Sequence, residues 1–538
     1  GLAPFTEQQY LNTQIKIDEW DSQENKEFYM LYCKEINYFT LFRRTNDENN
    51  RCLSKEIMLC LSDIGDLLYV EDIYNEFSSG RLDISAIRDF LNMLYRRGLN
   101  SENQLRNVLL FGDGSYDNKR SPDNTSSKIP TYQSSHALYQ SNSFVSDDFY
   151  AWLDDKEGDT ESTSYVDIGV GRFPVQTIEE ATIAVDKSER YLRGGDFGAW
   201  KNSLVFVADD GDKAEHISYS ESIASKVEKK YPDATISRIY LETYAPERTS
   251  TGIIYPKAHE DFMSSINNGC LILNYVGHGG YNALTDEGLF KQKNIKEWTN
   301  VNKLPLFITA TCDFCPFDHN NILSAGEEGF LYPHGGFLAL YTTTRLVYGS
   351  SNNRLHKAVY TYLLECDAEG RRFTIGEALA KGKVDSRAYI NSMKYVLIGD
   401  PALTLDFGTE NYVSTDEVNG EHIDICESPI AALKTNVIKG SVRNPDNSVN
   451  ELFNGQVMIT LHDKRVTKTM TGPISGQSFS YTENGSVLYS GIVNVVNGRF
   501  EYSFVVPRDV VFQYDYGKLS HYASHGTYDA SGAYSNIM

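Results

Sequence analysis

No apolar run in this chain approaches the roughly 20 residues that a membrane-spanning helix requires, so no transmembrane segment is expected. Cysteine is also scarce: eight in 538 residues are too few for a disulfide framework, which excludes a small stapled scaffold. Basic residues are outnumbered, 50 Lys and Arg against 73 Asp and Glu. The resulting net charge of −23 repels a phosphate backbone, so no nucleic-acid partner is expected. An initiator Met is missing too. The chain opens Gly1-Leu2-Ala3, as expected for a protein that has lost a leader or for a piece of something longer. No internal repeat of the solenoid or propeller kind is visible.

What is present describes a folded protein of several domains. Hydrophobic residues make up 41% and aromatic residues 12%, enough for cores of ordinary size. Tyrosine, at 36, leans towards extracellular β-structure. Residues 1–60 mix aromatics and charges without period and form an unassigned N-terminal segment. From Asp83 to Arg97, Ile84, Ile87, Phe90, Leu91 and Leu94 fall at helical spacing. Asn107 to Asp113 then reads as a buried strand, and the helix–strand order recurs. Strands are predicted at Tyr165–Gly171, Ser203–Ala208, Thr235–Leu241, Cys270–Val276, Leu304–Thr311, Gly335–Tyr341 and Leu403–Leu405. Helices are predicted at Ile178–Leu192, Ser218–Lys230, Glu260–Asn267 and Leu355–Cys366. Short continuous apolar strands alternating with helices predict a parallel α/β sheet covered on both faces. Two α/β subdomains are expected, 61–200 and 201–410. Beyond about residue 410 the helical period gives way to alternating strands, Gln456–His462, Ile492–Phe500 and Tyr502–Val506. They predict an all-β, Ig-like sandwich over 425–538 whose last stretch, from Tyr522, lacks a closing strand.

Reactive side chains gather at three predicted strand ends, where open α/β sheets carry function. These are Asp209-Asp210-Gly211, Gly277-His278-Gly279-Gly280 and Thr311-Cys312-Asp313-Phe314-Cys315. A thiol nucleophile needs an imidazole to hold it as thiolate and to protonate the leaving amine. Cys312 and His278 supply that pair. Glycines beside His278 let substrate backbone approach, and the Gly279 N–H is a candidate oxyanion donor. Asp210 is the candidate carboxylate behind the imidazole, with Asp209 as its competitor and helix capping as the plain alternative.

Other readings of the same residues remain open here. Cys312 is equally readable as a buried small hydrophobe, and His278 as a turn residue. Cys312-x-x-Cys315 resembles a redox pair in spacing, yet that leaves His278 unexplained. Zinc lacks a fourth ligand beside His278, Cys312 and Cys315, so no metal is assigned to the site. Cys315 is expected to pack. The acidic loops Gly112–Asp117 and Asp154–Asp159 suit structural calcium, with solvated loops as the alternative. No cofactor is required by the chemistry.

Asn274-Tyr-Val-Gly-His-Gly-Gly280 followed by Leu306-Phe-Ile-Thr-Ala-Thr-Cys312 resembles the His and Cys segments of gingipain-type cysteine peptidases, of the caspase-like clan. Leu109–Asp113, Val166–Phe173 and Val396–Leu403 resemble further segments of that family in the same order, so the likeness spans about residues 65–407. It implies a caspase-like, gingipain-like catalytic domain in two subdomains, with Cys312 as nucleophile, His278 as base and acid, and Gly279 at the oxyanion. Within the family, Thr311–Asp318 and the Asp209–Asp212 turn most resemble the cell-surface sortases of type IX secretion. That implies removal of C-terminal sorting domains from exported cargo and transfer to a surface lipopolysaccharide, outside the outer membrane and beside its secretion components. A secreted hydrolytic endopeptidase and an inactive cargo-binding scaffold are the competing expectations. Residues 1–60 match nothing in the family pattern.

Overall fold

A computed structural model describes residues 38–42 and 67–538, apart from 101–103, 119–128, 136–138, 140, 156, 159–164, 194–196, 251, 408, 410, 426–429, 507–515, 527 and 538. Most of the unassigned 1–60 segment therefore lies outside the described residues. The chain is woven into two compact units, each drawn from separated stretches. The described residues up to Glu189 join those of Cys315–Leu331 and Tyr341–Thr404 in the first; the described residues of Arg190–Phe314, Tyr332–Leu340 and Leu405–Met538 form the second.

In the first unit, parallel strands run in the order Leu67–Tyr69, Tyr38–Phe42, Asn107–Phe111, Gly169–Phe173 and Tyr395–Ile398. Asn107–Phe111 is buried along its whole length, which is why it reads as an unbroken apolar run. The helix predicted from Asp83 spans Ile84–Gly98 and buries Ile87, Phe90 and Leu91, while the Asp83 carboxylate accepts the Ser85 N–H at its start. Its apolar face meets Val108, Leu110, Phe149 and Trp152 in one core. Arg172, fully buried, donates in a fork to both oxygens of Asp147 at 2.8 and 2.7 Å. The strand expected at Leu403–Leu405 is not formed; Tyr395–Ile398 pairs instead. Pro401 has no N–H to give a ladder, and the Asp400 carboxylate takes the Ala402 N–H in a turn.

The α/β part of the second unit orders its parallel strands Leu306–Ala310, Ile272–Val276, Ser203–Ala208 and Thr235–Tyr240. Glu215–Lys230 and Pro256–Asn268 are its helices, the second opening on Pro and followed by Gly269 at φ 90°. Every residue of Ile272–Val276 and Leu306–Ala310 is buried. This is the covered parallel sheet expected from the alternating pattern. The fold is mixed α/β with a large parallel sheet and a β-rich C-terminal part.

That C-terminal part is an eight-stranded sheet. Its main path runs Val487–Val495, Gly455–His462, Gly517–His525, Tyr528–Ile537, Asn411–Val418, Thr435–Arg443 and Arg499–Val505. Arg499–Val505 alternates strictly between exposed and buried residues, with Phe500, Tyr502 and Phe504 inward. Two expectations change here. Ile492–Phe500 is not one strand: Asn497 and Gly498 both take positive φ, 48° and 70°, and turn it into a hairpin. The stretch from Tyr522 does contain a closing strand, because Gly517–His525 and Tyr528–Ile537 pair antiparallel. Small residues such as Ala523, Ala530 and Ser531 carry that ladder, and they give little apolar signal.

Candidate active site

The two strand tips that carry His278 and Cys312 are neighbours. Val276 faces Ala310 in the parallel register, and each reactive residue lies two positions further on. The Gly277 N–H donates to the Ala310 carbonyl at 3.2 Å, so the pairing continues to the threshold of the site. Strand side chains alternate, so positions two beyond paired residues start towards the same face. His278 is exposed and Cys312 half-buried, with buried residues immediately before each. Asp313 follows in the left-handed region at φ 50°, turning the chain directly after the thiol.

Two glycines let these tips close together. A Cβ on Gly277 would lie 2.3 Å from the Asp209 Cβ, and one on Gly279 would lie 2.6 Å from Thr311 Oγ1. Gly279 and Gly280 pair antiparallel with Leu284 and Ala283, which holds the Gly279 backbone beside the residue that precedes Cys312.

Below them sits Asp209, almost fully buried. Its Oδ2 accepts the His278 N–H at 2.9 Å and its Oδ1 accepts the Asp210 N–H at 3.0 Å. Burial, with the acidic Asp210 and Glu287 nearby, pushes its carboxyl up to about 8, against the pull of the His278 N–H. Asp209 thus positions the His278 backbone and not its ring. Tyr275 donates to the His278 carbonyl from the same side.

Asp210 is placed differently from the sequence expectation. Its Oδ2 accepts the Tyr255 hydroxyl at 2.7 Å, and burial raises its carboxyl against the pull of that hydrogen bond, with the acidic Glu242 adding to the rise. The carboxylate at the imidazole is Asp212, whose Oδ2 lies 3.1 Å from His278 Nε2. The cause is local backbone. Gly211, Asp212, Lys213 and Ala214 all have positive φ, and this left-handed turn swings Asp212 back towards His278 before the Glu215–Lys230 helix begins. No spacing rule on the sequence distinguishes Asp212 from Asp210 within the Asp209–Asp212 turn. His216, one helical turn on, also reaches Asp212, at 3.4 Å from its Nε2.

Cys315 stands apart from this chemistry. It is fully buried, burial next to Glu327 pushes its thiol well up, and Ser324 lies 3.6 Å from its sulfur. Such a thiol packs. Of the acidic loops, Asp155 pairs with Arg96, Glu157 takes the Asp154 and Tyr165 N–H groups, and Asp113 takes the Gln176 amide. Among the described residues, groups with three ligand atoms in mutual reach are Asp212, His216 and His278, and Asp209, Asp210 and Glu287. No described helix is long and apolar enough to cross a membrane.

Comparison with known proteins agrees with this architecture. No curated protein sequence matches the chain. Among solved structures, the Arg-specific cysteine proteinase gingipain R (RgpB) superposes with a TM-score of 0.51 at 16% identity, covering 93% of this chain and 98% of that one. The complex of Porphyromonas gingivalis RgpB pro- and mature domains gives 0.50 at 16% identity, covering 92% and 99%. Dimeric latent PorU from Porphyromonas gingivalis gives 0.39 at 22% identity, covering 93% of this chain but 42% of that one. The model of peptidase family C25 matches residues 66–406, which include both strand tips and the Asp212 turn. With the matched region taking in most of its length, this chain belongs to peptidase family C25, the gingipain family of cysteine peptidases.

Proposed function

We propose that the chain is a cysteine endopeptidase in which Cys312 is the nucleophile and His278 the general base and acid. The observation that carries this reading is the register of the two tips, with His278 and Cys312 each two residues beyond the paired Val276 and Ala310. His278 takes the thiol proton, and Cys312 Sγ attacks the scissile carbonyl carbon. The oxyanion so formed is held by backbone N–H groups, Gly279 among them. As the tetrahedral species collapses, the C–N bond breaks, the imidazolium gives its proton to the leaving amine, and a thioester to Cys312 remains. Asp212, at Nε2, orients the ring and stabilises its charged form, leaving Nδ1 to exchange the proton. Asp209 steadies the same residue through its N–H.

The second half of the reaction sets the biological role. Resemblance of Thr311–Asp318 and Asp209–Asp212 to type IX secretion sortases supports an amine as acceptor, joined to the new carboxyl end with release of the thiol. On this reading the protein removes C-terminal sorting domains from exported cargo at the outer surface of the outer membrane, beside its secretion components. The cargo's new end passes to a surface lipopolysaccharide. A gingipain-like hydrolase makes the same thioester and resolves it with water.

The experiment incubates the protein with a cargo bearing a C-terminal sorting domain, with and without an added amine. Amine-joined product, absent with Cys312→Ala, is expected. Hydrolysed product alone overturns transpeptidation and leaves the peptidase. Unchanged processing by Cys312→Ala overturns the assignment of Cys312 as nucleophile, and cargo bound but left uncleaved by the parent favours the scaffold.

A further inference from the structure

Beside the proposed dyad, one carboxylate oxygen is shared by two imidazoles. Asp212 Oδ2 lies 3.1 Å from His278 Nε2 and 3.4 Å from His216 Nε2. The two rings stand 5.1 Å apart, edge to face at 85°, and all three ligand atoms fall within 4.8 Å of one another. In a tetrahedral zinc site, with bonds of ~2.0–2.2 Å, ligand atoms are ~3.4 Å apart along each edge. Two edges of such a tetrahedron are therefore already present, and the third, between the two imidazole nitrogens, is no longer than 4.8 Å.

The ligand that most needs fixing is fixed. His216 is nearly buried on the first turn of its helix, and its Nδ1 lies 3.3 Å from the Asp210 carbonyl. With Nδ1–H donating there, the Nε2 lone pair faces the shared oxygen. This is the outer-shell contact that sets the tautomer of a metal-bound histidine. Asp210 is anchored in turn by Tyr255. The proposed peptidase chemistry gives His216 nothing to do, so this preorganisation is otherwise unexplained.

We propose that Asp212, His216 and His278 form a zinc-binding site that reversibly silences the enzyme. Two neutral imidazoles and a carboxylate are a donor set suited to Zn2+, and a fourth position is left to solvent. Bound zinc takes the Nε2 lone pair of His278 and its Asp212 partner together. The ring is then held by the metal and cannot cycle its proton with Cys312. Metal binding by these three residues stands by itself; the loss of activity rests on the peptidase reading.

The test uses the purified chain stripped of metal, titrated with zinc chloride by calorimetry and assayed in parallel on a peptide substrate. One zinc per chain is expected, reversed by EDTA, with loss of turnover as the site fills. His216→Gln should cleave peptide at the unliganded rate yet need about 10-fold more zinc, or beyond, for the same binding and inhibition. Asp212→Ala, at an exposed position, should lose the calorimetric signal and the zinc-induced rise in Tm, with its Tm without zinc measured beside the parent's. Cys312→Ala should bind zinc as the parent does. Unchanged zinc affinity in both His216→Gln and Asp212→Ala overturns the site, as does loss of binding in Cys312→Ala. Zinc binding by a chain that cleaves no peptide sinks the peptidase reading and leaves the metal site standing.

Discussion

His278 Nε2 and Asp212 Oδ2 lie 3.1 Å apart, both on side chains more than half exposed. An orienting carboxylate in solvent contributes less than a buried one, because water screens the pair and both side chains keep rotamer freedom. Asp212→Asn should lower kcat about 5-fold, the effect of an ion pair worth roughly 1 kcal/mol, with KM little changed. Asp210→Asn, whose carboxylate serves Tyr255, should leave kcat closer to the parent. Steady-state kinetics of the two variants decide between them. A larger kcat loss in Asp210→Asn reverses the assignment.

Thiol reactivity should separate the described cysteines by position. Cys270 and Cys315 are buried, with burial pushing the first up to about 12 and the second well up, whereas Cys366 is exposed and Cys312 half-buried. Iodoacetamide should therefore modify Cys312 and Cys366 in the native protein and spare Cys270 and Cys315 until it unfolds. Activity should fall in step with Cys312 modification, read by peptide mass spectrometry. Cys366→Ser should leave that time course unchanged.

Gly279 tests the close approach of the tips. An added Cβ lies 2.6 Å from Thr311 Oγ1 and 3.1 Å from the Ala283 carbonyl, so one side must move. Gly279→Ala should cost about 1–3 kcal/mol of stability and lower kcat, through displacement of the residue before Cys312. Urea unfolding and kinetics on the same preparation measure both. Gly280→Ala, with open space around its Cβ, is the control.

Acid should destabilise both units through buried, uncharged histidines. Burial pushes His356, in the first unit, and His521, in the second, down to about 3. The unfolded chain protonates these rings near ~6.5. Between those values the unfolded state holds more protons than the native one, so stability is full above the upper value and declines as pH falls. The slope is about 1.4 kcal/mol per pH unit for each histidine. His521→Phe, which keeps a ring against Phe500, should flatten the slope of denaturation free energy between pH 7 and 5. An unchanged slope would mean that His521 is not buried neutral.

Much of the fold could be read from local pattern. Buried parallel strands are unbroken apolar runs, so Ser203–Ala208 and Asn107–Phe111 stood out, and Ile178–Arg193 announced itself by helical period. The β-rich end was harder because its ladders contain Ala, Ser and Gly, and because one Asn-Gly turn was hidden within an apparently continuous strand. That the strand tips bearing Cys312 and His278 lie side by side was legible because both end buried apolar runs, and open sheets gather function at such ends.

The order of apolar and polar residues along the chain, by itself, determined which segments become strands and helices and where the two reactive residues emerge, since burial period is a local property of the backbone. Only the folded arrangement decided which carboxylate serves the imidazole. Asp209, Asp210 and Asp212 share one short turn, and four consecutive positive φ angles point the third at His278 while Tyr255 and the His278 N–H claim the other two. Chain direction across a left-handed turn depends on what packs around it, and that information is spread over residues distant in sequence.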